Sequence, residues 1–482
     1  MNKKVSLLVD RLKKVDYLMI TASTVICSLI SFIYSVLAKK YVPPIEYGIF
    51  STCTLIQTYM NYIQFGVFNS YNRDYPQMIG AKKDKEAAEL KNTAITFMWL
   101  IYSVTAIVGG CFLWIQYGKH LFDKRYFFGY IVSMVFVLID TTANFSMYTV
   151  RIHGKYNYSA LAGIIKTVIA VTLGIIAIRR FGYFGLYIMP VVGALVSIVL
   201  YYKGSLDDIK LRINRIVLKT SMITGIPLMI NSFIWTIVSS IDKFVILGFM
   251  TTEDLGIYSV PLMGFSTMVL IPQSISQVFY NKISIVYGET KDELKLLKYC
   301  NRYTMLNSLF TSAVAVAAFY ILPIFVSYYM PNYSDGVVPA QILLIGVAIY
   351  GTTLLYGNIF SILKWNRELI VNSVLLCIFN TVFSTSLVLL LGRDIENVAI
   401  GTSLSYAAYS IMLLYKLAEK MGFSIRKLFY YSYAPVLIAI IPSMILYFTV
   451  KSTILAFILS MGIILISFVW FIKKRKGDLV NE

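Results

Sequence analysis

The residues able to do chemistry are few, and most of them stand inside long apolar runs. Asp140 and Asp242 are the acids set deepest in such runs, with Lys166 and Lys243 as their basic counterparts. An ionised side chain in hydrocarbon costs roughly 2.5–3.5 kcal/mol on insertion scales, so each of the four requires water or a partner. The two acids are candidates for ion coupling by H+ or Na+. Asp140, Asn144, Met147, Tyr148 and Arg151 follow helical spacing and share one face, a stripe ending in a cation. Lys166 suits contact with a phosphate, pairing with Asp140, or reaching back to the inner surface. Asp242 and Lys243 are neighbours in sequence, so they project at different azimuths and need separate partners. Gln273 and Gln277 line up with Ser266 and Tyr280 in a run carrying Pro261 and Pro272. An amide-lined, proline-bearing helix fits sugar hydroxyls and a moving gate, or kinked packing alone. Arg73, at the end of the second apolar run, joins Arg151 as a candidate cation at an inner mouth.

Other chemistries find little support. His120 and His153 both lie in loops, and Cys27, Cys53, Cys111, Cys300 and Cys377 are scattered without a CxxC spacing, so no metal site is expected. A glycan polymerase or ligase would need an outward loop presenting paired carboxylates, His or Arg. The longest outward loop, near 326–338, offers Asp335 alone, and the loop with Asp123, Lys124 and Arg125 has no acid pair. The expectation is a non-enzyme with no cofactor beyond a coupling ion.

The elements that must position these residues are membrane helices. Hydrophobic residues make up 58% of the chain, charged residues 14%, and mean hydropathy is +0.71, far from the soluble norm. Apolar spans are expected near 17–38, 45–68, 92–115, 126–150, 158–178, 183–202, 222–249, 256–280, 303–325, 339–363, 369–391, 397–415, 431–450 and 452–472. The fold class is an all-α polytopic membrane protein of about fourteen transmembrane helices. Placing the N-terminus inside assigns most of the 43 Lys and Arg to inner segments. Both ends are then cytoplasmic. The net charge of +19 reads as topology plus attraction to anionic lipid headgroups, not as nucleic-acid binding. Val5, Leu8, Val9, Leu12 and Val15 suggest an interfacial helix over 1–16, and Lys473 to Lys476 a basic anchor in a tail over 473–482.

One connector is written twice. "KKYVPPIEYGIFS" from Lys39 returns as "GFMTTEDLGIYS" from Gly248, pairing Glu46, Gly48, Ile49, Phe50 and Ser51 with Asp254, Gly256, Ile257, Tyr258 and Ser259. The same offset pairs Gly80, Lys83 and Asp84 with Gly288, Lys291 and Asp292. It also carries the hydroxyl face Thr24, Ser28, Ser31, Ser35 onto Ser232, Thr236, Ser239, Lys243. Two six-helix repeats in parallel orientation, 17–208 and 209–420, followed by a helix pair over 421–472, account for this spacing. Pro43 and Pro44 end one helix and start the next, and Thr251 and Thr252 suit a cap.

These two connectors, the run "GIPLMINSFIWTIVSSIDKFVILGFMTTEDLGIYS" from Gly225, the charged loops at Gly80 and Gly288 and "YMPNYSDGVVPAQILL" from Tyr329 give the chain its family likeness. It resembles the Wzx-type O-antigen and capsule repeat-unit flippases of the multidrug/oligosaccharidyl-lipid/polysaccharide exporter superfamily. The resemblance implies two six-helix lobes around a cavity, alternating access, and movement of undecaprenyl-diphosphate-linked sugars to the outer leaflet. It implies as partners a lipid-linked oligosaccharide, membrane lipids, and the polymerase and glycosyltransferases of surface polysaccharide synthesis. The final helix pair looks like the one that shelters the lipid tail in lipid II flippases. Those flippases carry arginine in the first span, whereas 17–38 is uncharged, which argues against a peptidoglycan precursor. The alternatives are an ion-coupled multidrug exporter of the same fold and a membrane-embedded polymerase or ligase. The orientation is checked by cysteine labelling in a cysteine-free background: positions 123, 334 and 393 label from outside, and 83, 208, 291 and 478 do not. Labelling at 208 from outside would break the assignment.

Overall fold

The computed structural model describes the backbone of residues 3–121 and 123–480, and the side chains from Met19 to Val469 except at positions 21, 122, 278, 281 and 366. The apolar pattern expected over 1–16 and the cluster Lys473 to Lys476 therefore lie outside the described side chains. Among the described residues all regular structure is helical: α1 Lys3–Tyr41, α2 Pro44–Met60, α3 Val67–Gly80, α4 Asp84–Gly118, α5 Lys124–Ile152, α6 Tyr156–Phe181 and α7 Ile188–Tyr201. Then come α8 Arg215–Val238, α9 Ile241–Phe249, α10 Thr252–Ile257, α11 Ser259–Thr290, α12 Glu293–Tyr329, α13 Val337–Gly351 and α14 Leu354–Ile362. The last four are α15 Asn366–Leu391, α16 Ile395–Met421, α17 Ile425–Thr449 and α18 Thr453–Val480.

By length and composition, 11 helical stretches qualify as membrane spans. The stretch Tyr156–Tyr201 holds two of the expected spans, folded back through a 3-10 turn at Gly182–Tyr187. The expected second span is divided between α2 and α3, and the final one is a shorter apolar helix, Thr453–Val469. Each expected span thus has a helix, although four are interrupted: at 61–66, at Ser239–Ser240, at Tyr258 and at Thr352–Thr353. Pro272, by contrast, sits within an uninterrupted α11.

The connectors behave as their residues require. Pro44 opens α2, where a missing N–H costs nothing. Thr251 forms a capping box: its hydroxyl accepts from the Asp254 N–H at 3.2 Å, while Asp254 accepts from the Thr251 N–H at 2.9 Å. Asp123 caps α5 by accepting from the Arg125 N–H at 3.1 Å, and Asp292 caps α12 by accepting from the Lys295 N–H at 3.0 Å. The Arg125 guanidinium and N–H together hold the Asp123 carboxyl below the usual carboxylate range. Its contribution to stability is therefore present above roughly pH 4 and lost as pH falls through the lower folded value.

The chain forms two compact units, 1–236 and 237–482. In the first, α1 packs on α6, α6 on α7, and α5 on α2, α4 and α7. Its core stacks Tyr71 between Tyr75 and Phe145, at 4.8 and 4.5 Å between ring centroids, and the buried Tyr71 hydroxyl meets Thr149 at 2.7 Å. The segment between α7 and α8 is pinned to α4: Lys91 pairs with Asp208, Asn92 accepts from the Lys210 N–H, and Thr93 accepts from the Asn214 N–H. In the second unit α16 packs on α13 and α15, and α12 on α13 and α17, around Ile246, Leu255, Leu343, Val398 and Ala399.

At the α2–α3 interruption the backbone of Gly66, with φ +76°, lies directly on Gly225 of α8. A Cβ on Gly66 would stand 2.2 Å from the Gly225 carbonyl carbon, and one on Gly225 would stand 2.0 Å from the Gly66 oxygen. Ser70 and Thr224 hydroxyls meet beside it at 3.2 Å, and the Tyr62 hydroxyl donates to the Ser232 carbonyl at 3.0 Å. Alanine at either glycine must push the two backbones apart, at about 1–3 kcal/mol for overpacking alone. We expect Gly66→Ala and Gly225→Ala to lower the midpoint of thermal unfolding in detergent, whereas Gly80→Ala, which meets nothing within 4 Å, leaves it in place.

Candidate functional site

In the first unit the expected stripe on α5 forms. Asn144 donates to the Asp140 carboxylate one turn away at 3.0 Å. Lys166 of α6 lies within electrostatic reach of both Asp140 and Arg151, without a contact as short as an ion pair. Arg151 donates from Nε to the Ser159 hydroxyl at 2.8 Å, and Tyr201 donates to the Ser159 carbonyl at 3.0 Å. Neither cation is consumed by a carboxylate at contact distance. The result is a partly buried group of one acid and two bases on α5 and α6 within electrostatic reach of one another.

Arg73 is placed differently. Its guanidinium grips the adjacent Asp74 at 2.6 and 2.9 Å, and Asp74 also accepts from the Ser70 hydroxyl at 2.8 Å. The cation expected at the inner mouth therefore carries its own counter-ion. A further cation was not singled out by the pattern: Lys39, at 1% exposure, donates to the Ser35 hydroxyl at 3.0 Å and the Tyr47 hydroxyl at 3.2 Å, with the Tyr47 ring 4.3 Å away. The run of Lys39 and Lys40 before two prolines looks like a solvated connector, and only packing against Tyr47 reveals the burial.

In the second unit Asp242 is at 6% exposure and has the separate partners its azimuth demands. Tyr258 donates to Oδ2 at 2.8 Å, Thr402 to Oδ1 at 2.7 Å, and Asn380 approaches at 3.4 Å. Ser384 donates to the Asn380 carbonyl oxygen at 3.0 Å, and the two helices carrying these groups touch where Gly401 packs on the backbone of Ser384. A carboxylate, an amide oxygen and three hydroxyls thus converge from α9, α15, α16 and the α10–α11 junction. Hydroxyl donors and the Asn380 amide nitrogen thus all point at one carboxylate, an arrangement that protonation of Asp242 would disrupt. The neighbouring Lys243 is half-buried. Repeat comparison held the missed signal: at the offset where Tyr258 and Asp242 stand, the first half has Phe50 and Tyr34. The two residues that differ between the halves at these positions touch each other in the second.

The second unit also contains a cavity of about 450 Å³ between α11 and α14. Gln273, Ser276, Gln277 and Tyr280 line one wall, and Leu354, Asn358 and Ser361 the other. Asn358 is fixed by donating to the Ser276 hydroxyl at 2.8 Å and carbonyl at 3.2 Å. Among the described residues no group of three or more His, Cys, Asp or Glu forms a metal site.

The Asp242 geometry generates a test. Asp242→Ala leaves three buried polar groups facing a void, each unmade bond costing about 1–3 kcal/mol. Asp242→Asn keeps the shape and replaces acceptors only in part. We expect the alanine variant to unfold at a distinctly lower temperature than the asparagine variant; equal stability of the two would remove the network from the account.

Comparison with known proteins places this arrangement. Residues 14–280, more than half of the chain, match the family model described as polysaccharide biosynthesis protein. No curated protein matches the sequence. Among solved structures, the lipid II flippase MurJ in an inward closed conformation superposes with a TM-score of 0.72 at 15% identity, over 96% of this chain and 100% of its own. An inward-facing multidrug resistance MATE family transporter of the MOP superfamily gives 0.66 at 14% identity, over 82% and 94%. The Vibrio cholerae MATE transporter VcmN in its bent form gives 0.58 at 15% identity, over 88% and 99%. At such identities these likenesses establish the fold. With the helices, the apolar spans and the family match agreeing, the chain is a multi-pass membrane protein belonging to the polysaccharide biosynthesis protein family.

Proposed function

We propose that the protein translocates undecaprenyl-diphosphate-linked oligosaccharide repeat units from the cytoplasmic to the outer leaflet, by alternating access, during surface polysaccharide synthesis. The observation that carries this reading is the Asp140, Arg151 and Lys166 group, in which one cation within α6 and one at the end of α5 stand without a carboxylate in contact. A diphosphate is the ligand such cations serve: Arg meets phosphate through two parallel donors and Lys as a point charge. Release requires that no single site hold too tightly, so separated cations suit transport better than a cluster. Arg73 is a further candidate in the first unit, engaging a phosphate only by exchanging Asp74 for it, and Lys243 is a separate candidate cation in the second unit. Asn144 in the first unit, and Gln273 and Gln277 in the second, supply neutral hydrogen-bonding groups for the glycan. Membership of the polysaccharide biosynthesis family supports a glycan cargo, and the flippase and transporter likeness supports movement over chemistry.

Asp242, with its ring of oxygen groups, is the reading's ion-coupling residue, and Asp140 the second. Protonation or cation binding at Asp242 would release Tyr258 and Thr402 from their bonds to the carboxylate, loosening α9 from α16. That gives a chemical route from ion occupancy to helix movement. No membrane-embedded ion is needed for the diphosphate contacts themselves.

Deleting the gene should leave complete lipid-linked repeat units trapped on the cytoplasmic leaflet. Units that are never completed, or that reach the outer face unpolymerised, would instead indicate an enzyme. Lys166→Gln and Arg151→Gln should each lower transport per molecule by tenfold or more at unchanged protein level. For coupling, Asp242→Asn should abolish the dependence of transport on the proton or sodium gradient; a variant with normal rate and normal gradient dependence removes Asp242 from that role.

A further inference from the structure

The cavity between α11 and α14 differs in chemistry from the cation group of the first unit. Among the described residues every lining side chain is uncharged, and all but Leu354 carry a hydrogen-bonding group. Its volume falls within the roughly 300–1,000 Å³ typical of small-molecule sites. Gln273 and Gln277 are one turn apart and exposed into this space, so each offers a carbonyl acceptor and an amide donor. Asn358 is held by Ser276, which commits its amide nitrogen and leaves its carbonyl oxygen as a fixed acceptor. Tyr280 adds a ring and a hydroxyl at 37% exposure.

The lining discriminates among ligand classes. An acyl chain would leave five amide and hydroxyl groups unpaired, each at a desolvation cost. A phosphate or a uronate would find no lysine or arginine among the described lining residues, and a cationic drug no acid. An uncharged sugar satisfies the whole lining. Its hydroxyls donate and accept in turn against the amides, and its C–H face packs on an aromatic ring. Two exposed amides opposite one fixed acceptor offer donors and acceptors to more than one pose of the ring.

We propose that this cavity is a subsite for an uncharged sugar residue of the translocated glycan, read by Gln273, Gln277 and Asn358. This inference rests on the glycan-translocation reading above and assigns the sugar and the diphosphate to different groups of residues. It follows that the protein favours repeat units whose subsite sugar is a neutral hexose or N-acetylhexosamine over those with a uronic acid there.

The test uses the full-length protein in detergent with free N-acetylglucosamine and glucuronate as probes, read by saturation-transfer NMR so that no transport is needed. The expected result is saturation of N-acetylglucosamine, little of glucuronate, and at least a tenfold weaker N-acetylglucosamine signal in Gln273→Ala/Gln277→Ala. Both glutamines are exposed, so this variant should fold; Leu354→Trp, which fills the cavity from its apolar side, provides a second route to the same loss. Equal saturation by both sugars, or an unchanged signal in both variants, overturns the subsite. Translocation of a lipid-linked neutral oligosaccharide by the wild type is measured in parallel. If the wild type transports while the glutamine variant transports equally well, the subsite fails and the function stands; if the wild type does not transport, the function itself fails.

Discussion

The structure depends on one constraint: inside a membrane no polar group can turn to water for a partner. Backbone groups meet it by forming helices, which is why the described regular structure contains nothing else. Side chains meet it one by one. Asp242 collects hydroxyl and amide donors from elements that are far apart in sequence, and that collection pulls α9, α15 and α16 together. Removing water thus turns a single carboxylate into an organising centre. The same constraint makes the pairing of Asp140 with Asn144, and the looser approach of Lys166, informative about what those groups await.

The two units use polar residues in contrasting ways. In the first, charge is present and only partly satisfied, with Lys166 and Arg151 meeting hydroxyl or distant carboxyl groups. In the second, the deep charge is enclosed and fully bonded, and the open space is lined by neutral groups. Two units built alike from helices therefore differ in chemistry. Tyr34 and Phe50 in the first half stand where Asp242 and Tyr258 stand in the second, so a packing position has become a buried polar contact.

Much of this was legible in the sequence because the signals are physical and local. Pro44 starts a helix and Thr251 caps one for reasons confined to a few residues, and apolar runs bounded by charge mark each span. The interruptions were not legible. The break at 61–66 reads as ordinary apolar sequence, and its glycine owes its need to the backbone of Gly225, more than a hundred residues away. Pro272, the more obvious breaker, leaves α11 uninterrupted. Site residues divide the same way. Asp140, Asn144 and Arg151 share a face by periodicity alone, but the partners of Asp242 come from tertiary contact, and the Asp74 that neutralises Arg73 hides in plain view as a neighbouring residue.

The most direct measurement of the central claim is leaflet asymmetry in reconstituted vesicles. Purified protein is inserted into liposomes carrying an undecaprenyl-diphosphate-linked oligosaccharide in both leaflets, and the fraction open to an externally added glycan-modifying enzyme is followed in time. The account predicts that wild-type vesicles expose nearly the whole pool, while Lys166→Gln vesicles with the same protein content expose little beyond the half initially outside. Exposure that stops at one half with the wild type, or rises equally with the variant, would contradict it.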